Sequence, residues 1–354
     1  MTAWDPTAFR AEVQEVLDGF LEEQSAALAP LGPDAARLLD AARESVRGGK
    51  RFRAAFCHWG HRAAAPDDVD TRALARASAS LELLHASALV HDDYMDASDT
   101  RRGRPSTHRR FGGEHRETGW RGDPEQYGAA AAILLGDLLL GWADQLLRSC
   151  GLPADRVRAG EAWFDTCRNE VIVGQFLDVS VQARGHADVA TAMTVLRYKS
   201  AKYSIERPVQ IGAALGGASD AQLEQLSAYG LPLGEAFQLR DDLLGVYGDP
   251  ATTGKPAGDD LVEGKRTVLV ARALDALDGP QAKRLDSLIG TALGDAEVEE
   301  CRALIDSSGA RQAVEQDITR LTEQSLHALA DADIDEGARS VLADLARAAT
   351  QRDI

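Results

Sequence analysis

An all-α bundle is the fold class this sequence predicts, on three observations. Ala and Leu are plentiful while Val and Ile are sparse, a mix that favours helix over strand. Apolar residues recur at helical spacing along most of the chain, with no alternating strand–helix pattern, fixed-period repeat or low-complexity linker. Gly and Pro gather in a few clusters that read as loops, at Gly48-Gly49, Gly103-Arg104-Pro105, Gly112 to Pro124 and Gly248 to Gly258. With 354 residues, 44% of them hydrophobic, the chain can bury a large core, and we read 1–354 as a single helical domain.

In chain order, helices are expected roughly over 11–29, 34–46, 52–64, within 69–102, and over 129–148, 154–182, 190–215 and 221–247, with several more between 267 and 350. Val69 to Arg102 holds no Gly or Pro, and Leu81, Leu84, Ala88 and Leu89 share one face there. The polar, Gly-rich stretch Phe111 to Tyr127 reads as an exposed excursion. Pro208 and Pro232 fall inside helical patterns and should each kink or break its helix.

The net charge of −17, from 39 basic and 56 acidic residues, argues against nucleic acid as a partner. It also means that an anionic ligand needs local positive charge from side chains or metal. Cys57, Cys150, Cys167 and Cys301 form no Cys-x-x-Cys pair, which points to a reducing, cytoplasmic setting. Residues 1–20 lack the apolar core of a signal peptide, and the longest apolar run, Ala129 to Leu135, is too short for a transmembrane segment.

Chemistry concentrates in two acidic segments. In Asp92-Asp93-Tyr94-Met95-Asp96, Asp92 and Asp96 leave one helix face about 6 Å apart. Two like charges so placed repel, and a divalent cation reverses that interaction; Mg²⁺ takes a few carboxylates plus water and phosphate oxygens. Arg101, Arg102 and Arg104 follow at once, and Arg binds phosphate oxygens in bidentate fashion. The second segment places Gln238, Asp241 and Asp242 on one face, with Lys255, Lys265 and Arg266 downstream. Taken alone, either segment also reads as a solvated acidic face; acids followed by bases twice in one chain favours metal plus phosphate. Gly48-Gly49-Lys50-Arg51-Phe52-Arg53 sets a flexible turn before a helix start, where Lys50 and Arg53 could reach an anion. Tyr198-Lys199-Ser200-Ala201-Lys202-Tyr203 offers two cations and a hydroxyl.

Taken together, GGKRFR, ELLHASALVHDDYMDASDTRRGRPS, GQFLD, YKSAKY and FQLRDDLLGVYGDPATTGKPAGDD resemble the trans-isoprenyl diphosphate synthases, or polyprenyl synthetases, most of all the bacterial geranylgeranyl diphosphate synthases. The resemblance implies an isoprenoid-synthase-type helical barrel around a central cavity, as a homodimer. It implies Mg²⁺, three ions per active site, held by Asp92, Asp96 and Asp241, with Asp93 and Asp242 in support. Arg101, Lys199 and Lys255 would hold the allylic diphosphate (dimethylallyl, geranyl or farnesyl), with Lys265 adding charge. Lys50, Arg53, His85 and Arg102 would hold isopentenyl diphosphate. Lys199, Ser200 and Gln238 would line the reacting carbon, and Gln175 and Asp178 would face the cavity. The implied reaction is ionisation of the allylic diphosphate, condensation and proton loss, with no carboxylate as general base.

Two departures from the family pattern stand out. Gly245 occupies the last position of the second motif, where a third Asp is common, so that Gly245→Asp should alter Mg²⁺ dependence without abolishing turnover. Ser200 stands where Thr is usual. For product length, the residues behind Asp92 on its helix are Ser87 and Ala88, about 6 to 7.5 Å away, and Leu84 at about 12 Å. Family members that stop at C15 carry aromatics at the two near positions; small residues there predict a C20 product with Leu84 or a neighbouring helix as the floor. A C15 or C25–C35 product, a class I terpene cyclase and a non-catalytic synthase subunit are the alternatives. Without the resemblance, His91-Asp92 also raises an HD-type phosphohydrolase with His58 and His61 as further ligands, although their place beside Trp59 fits packing.

Overall fold

The computed structural model describes residues 4–65, 67, 70–248 and 258–351. Helix α1 (Pro6–Leu28) starts where the Asp5 carboxylate accepts the amides of Thr7 and Ala8, and it buries Phe9, Val13, Leu17, Phe20 and Leu21. Helices α2 (Pro33–Ser45) and α3 (Phe52–Ala64) follow, then α4 (Thr71–Met95), capped by Asp70 on the Ala73 amide. Helix α4 is buried on most of its circumference and packs against α1, α3 and α6 (Pro124–Arg148). It ends earlier than its apolar pattern suggests. Ala97 turns left-handed, and a two-residue hairpin follows, β1 (Thr100–Arg101) against β2 (Arg104–Pro105), with Thr100 opposite Pro105 and Arg101 opposite Arg104. Both turn residues, Arg102 (φ 53°) and Gly103 (φ 73°), take the positive φ that such a turn requires.

The expected polar excursion is instead partly helical. Helix α5 (Thr107–Thr118) buries His108, Phe111, Gly112 and His115 and packs along α6. Helix α7 (Ala154–Arg184) leads to α8 (Val189–Leu196), a π-helical segment (Arg197–Glu206) and α9 (Arg207–Gly216). The π segment ends at Glu206, and Pro208 follows in the first turn of α9, where its missing N–H is tolerated. Helix α10 (Asp220–Tyr247) starts with a capping box of Ser219 and Gln222 and, of the expected kink or break at Pro232, shows no break. Helices α11 (Asp259–Val262), α12 (Val268–Ala276), α13 (Gly279–Leu288), α14 (Asp295–Ser307), α15 (Ala310–Asp331) and α16 (Glu336–Thr350) complete the described chain.

Two apolar cores lie side by side. The first gathers α1, α3, α4, α6 and α9; the second gathers the C-terminal helices around Leu261, Val268, Leu285 and Ile318. Helix α10 serves both, giving Leu226, Tyr229 and Leu233 to the first and Leu239, Leu243 and Val246 to the second. Gln238, Asp241 and Asp242 sit at that changeover. Helix α6 is long and apolar enough to cross a membrane, with half of its most apolar stretch buried inside the fold. Cys57, Cys150, Cys167 and Cys301 are all buried and unpaired.

Candidate active site

The first acidic motif occupies the last turn of α4. Asp92 and Asp93 lie within the helix, and Asp96 caps its C-terminus, its amide donating to the Asp92 carbonyl at 2.8 Å. The three carboxylates have different partners. Asp92 accepts from Gln175 Nε2 at 2.9 Å and from Lys199 Nζ at 3.4 Å. Asp93 is buried and accepts from Arg101 Nε at 2.8 Å, which makes it a clamp on the hairpin arginine. Asp96 lies 3.6 Å from Lys265 Nζ. Burial pushes the Asp92 carboxyl up, but Lys199, Lys265, Arg101 and the Gln175 amide outweigh it and hold the group at about 2. Burial and the Asp92 charge push Asp96 up to about 6, against the pull of Lys265 and Lys199.

Lys199 reaches Asp92 because α7 carries Gly174. A β-carbon there would lie 2.4 Å from the Lys199 backbone nitrogen, so only glycine lets α7 approach the π segment this closely. Asp178, one turn further along α7, then accepts from Lys199 Nζ at 2.6 Å. The wide π turns bring Lys199, Ser200 and Tyr203 to the same region. The Ser200 hydroxyl donates to Gln238 Oε1, and Gln238 Nε2 donates to Asp242 Oδ1 at 2.8 Å. Adjacent residues of the π segment thus connect the two acidic motifs, one on α4 and one on α10. Burial pushes the Asp242 carboxyl up to about 8, with Asp260 and Asp241 adding to it and Gln238 and Lys265 opposing. Asp241 is half-buried.

A second cluster of cations flanks the first. Arg53 donates to Ser204 Oγ at 2.8 Å and lies 4.2 Å over the Tyr203 ring. His85 Nδ1 is 2.5 Å from the Tyr203 hydroxyl. Burial and the charges of Arg53, Arg102 and Arg101 hold His85 well below its usual range, so the ring is neutral. Arg102, at the hairpin tip, donates to the Arg47 carbonyl and lies against Gly48-Gly49 beside exposed Lys50. Lys255 lies outside the described residues.

Sequence reasoning missed several participants. Arg51, inside the Gly-Gly-Lys segment, is no anion ligand. It is buried, pairs with Glu82 at 3.0 Å and anchors the loop on α4. Tyr203 joins His85 to Arg53. Asp260 joins the second acidic cluster, where its charge acts on Asp242, and it lies 3.4 Å from Lys265. A lone acid on the apolar helix α4, Glu82, was the signal available for the first pair. The positions behind Asp92 on α4 also differ in detail from the expectation. Leu84 is buried as expected, but the Ser87 hydroxyl donates to the Gly136 carbonyl at 2.7 Å, turning that residue toward α6, while Ala88 stays partly open. His58 and His61 lie on α3 and join no cluster of three metal-ligating side chains among the described residues; His58 packs against Trp4, Phe9 and Trp59.

Among the described residues no three His, Cys, Asp or Glu side chains converge as a ready-made cage. That fits Mg²⁺, which takes one or two carboxylates and completes its shell with water and ligand phosphates. The hard-oxygen donor set of aspartates, crowded enough to raise Asp96 and Asp242, suits such an ion.

Comparison with known proteins gives the same direction. The polyprenyl synthetase family model matches residues 35–306. The structure superposes with TM-score 0.95 and 39% identity on a geranylgeranyl pyrophosphate synthase from Corynebacterium glutamicum, complexed with isoprenyl diphosphate and magnesium, covering 99% of this chain and 100% of that one. A geranylgeranyl diphosphate synthase of Mycobacterium tuberculosis is 32% identical over 91% of this chain and 87% of its own length. A (2E,6E)-farnesyl diphosphate synthase of the same organism is also 32% identical, over 75% of this chain and 70% of its own.

Proposed function

The chain belongs to the polyprenyl synthetase family, and from that premise we propose that this trans-prenyltransferase joins isopentenyl diphosphate to an allylic diphosphate and releases an all-trans C20 diphosphate. The observation that carries this reading is the link between the two acidic motifs, with Lys199 on Asp92 and Ser200 on Gln238 and thence Asp242. Asp92, Asp96 and Asp241 would hold the divalent ions, three in number, which when bound neutralise the departing diphosphate. Lys199, Arg101 and Lys265 add fixed positive charge on the same side, with Lys255 as a further cation. Lys50, Arg53, His85 and Arg102 form the site for isopentenyl diphosphate, set apart so that its double bond meets the allylic carbon beside Lys199, Ser200 and Gln238. The released diphosphate takes the proton, so no carboxylate acts as base.

Identity alone does not set product length, since a geranylgeranyl and a farnesyl diphosphate synthase of one organism are both 32% identical to this chain. The C20 reading rests on the small Ala88 and on Leu84 beyond it. Homodimer formation is supported by exposed Ile133 and Leu134 on α6 and Ile172, Val173 and Phe176 on neighbouring α7, an apolar face that a second copy would cover by two-fold symmetry. Buried free cysteines suit the cytoplasm. The test is incubation with Mg²⁺, isopentenyl diphosphate and C5, C10 or C15 primers, followed by product sizing. Geranylgeranyl diphosphate is expected, Asp92→Asn should remove activity, and failure of every primer to elongate would refute the proposal.

A further inference from the structure

We infer that Asp260, from the short helix α11, supplies the third carboxylate of the second acidic site, in the space that Gly245 leaves open. Asp241 and Gly245 are i and i+4 on α10, so a side chain at 245 would rise beside that of Asp241. A β-carbon at Gly245 would lie 1.9 Å from Asp260 Oδ2 and 2.5 Å from its Cγ. The Asp260 carboxylate therefore fills the volume that a side chain on α10 would take. Its backbone is held for that task. Gly258 enters the turn at φ 75°, Leu261 is fully buried in the second core, and the Lys265 amide donates to the Asp260 carbonyl at 3.0 Å.

Lys265 ties this acid to the first motif. Its ammonium lies 3.4 Å from Asp260 Oδ1 and 3.6 Å from Asp96 Oδ2, so one cation spans the acids of α4 and α11. Asp260 thus faces the same region as Asp96 and Asp241. Its role is to support the Mg²⁺ held by Asp241, accepting hydrogen bonds from the ion's water shell, and to hold Lys265 in place. This inference rests on the metal assignment proposed above. It also changes the meaning of Gly245: the glycine is the vacancy into which an acid from another helix is fitted.

The test is Mg²⁺ titration of the full-length protein with inorganic pyrophosphate, read as the rise in thermal midpoint, with Mg²⁺ dependence of turnover alongside. Asp260→Asn keeps the shape and should raise the Mg²⁺ midpoint about tenfold to a hundredfold. Gly245→Ala removes no charge yet should also raise it, because the added methyl displaces Asp260. The double variant Gly245→Asp with Asp260→Ala moves the carboxylate to α10 and should bring the midpoint back toward wild type. An unchanged midpoint in Asp260→Asn, or a double variant no better than Asp260→Ala alone, would overturn the inference. A wild-type protein that Mg²⁺ and pyrophosphate fail to stabilise would instead overturn the metal assignment itself.

Discussion

The Asp178 carboxylate of α7 lies 2.6 Å from the Lys199 ammonium, whose other carboxylate neighbour is Asp92 at 3.4 Å. Lys199 is therefore held between an acid of the metal motif and an acid outside it. Burial works against its charge, but Asp92 and Asp178 more than restore it and keep the ammonium protonated across the physiological range. When an ion engages Asp92, Asp178 remains to aim the lysine. Asp178→Asn keeps the shape and removes the charge. It should lower kcat/KM for the allylic diphosphate roughly ten- to hundredfold, about 1.4 to 2.7 kcal/mol of transition-state stabilisation, with KM for isopentenyl diphosphate little changed. Equal losses for both substrates would mean that Asp178 acts on the fold and not on Lys199.

Tyr203 links Arg53 and His85, two of the residues expected to hold isopentenyl diphosphate. Burial raises its own phenol, and His85 is neutral, so we assign the hydroxyl as donor to Nδ1, which leaves the ring proton on Nε2. Tyr203→Phe keeps the ring beneath Arg53 but releases the imidazole. Steady-state kinetics should show KM for isopentenyl diphosphate raised about three- to tenfold, a loss of roughly one hydrogen bond, with kcat nearly unchanged. A drop in kcat at constant KM would place Tyr203 in the chemical step instead.

Of the two small residues behind Asp92 on α4, Ser87 is committed to the Gly136 carbonyl and Ala88 is the one left partly exposed. Ala88→Phe should shorten the main product to C15, if the prenyl tail runs back along α4, because the ring would stand one helical turn from Asp92. Product chromatography decides: chains as long as those of wild type would show that the tail does not run along α4.

Much of this architecture was legible in the sequence. Helix α4 was, because an uninterrupted apolar pattern ends in a charged cluster. Helix α5 was not, because its buried positions His108, Gly112 and His115 carry no apolar periodicity. In the sequence the π segment is indistinguishable from ordinary helix, since a hydrophobic pattern does not separate wide turns from regular ones. The acids of both motifs could be named from local spacing alone. Their partners could not: Gln175 on Asp92, Glu82 on Arg51 and Asp260 over Gly245 are contacts between distant segments, and nothing local in the chain encodes them.

His58 carries a stability prediction away from the site. It is wedged among Trp4, Phe9 and Trp59, and its buried Nδ1 has no hydrogen-bond partner among the described residues. Burial lowers its pKa to about 4, with help from Arg62 and His61. In the unfolded chain the same ring titrates near its ordinary value of about 6.5, so the unfolded state binds the proton first. The contribution of the neutral ring is therefore complete above about pH 6.5 and is lost as pH falls toward 4, on the order of 3 kcal/mol in all. His58→Leu removes this dependence while keeping an apolar group in the pocket. Urea unfolding at pH 7 and pH 5 should show a smaller acid-induced loss in the variant than in wild type. Parallel losses in the two proteins would assign the acid sensitivity to other histidines that burial holds neutral, His85 first among them.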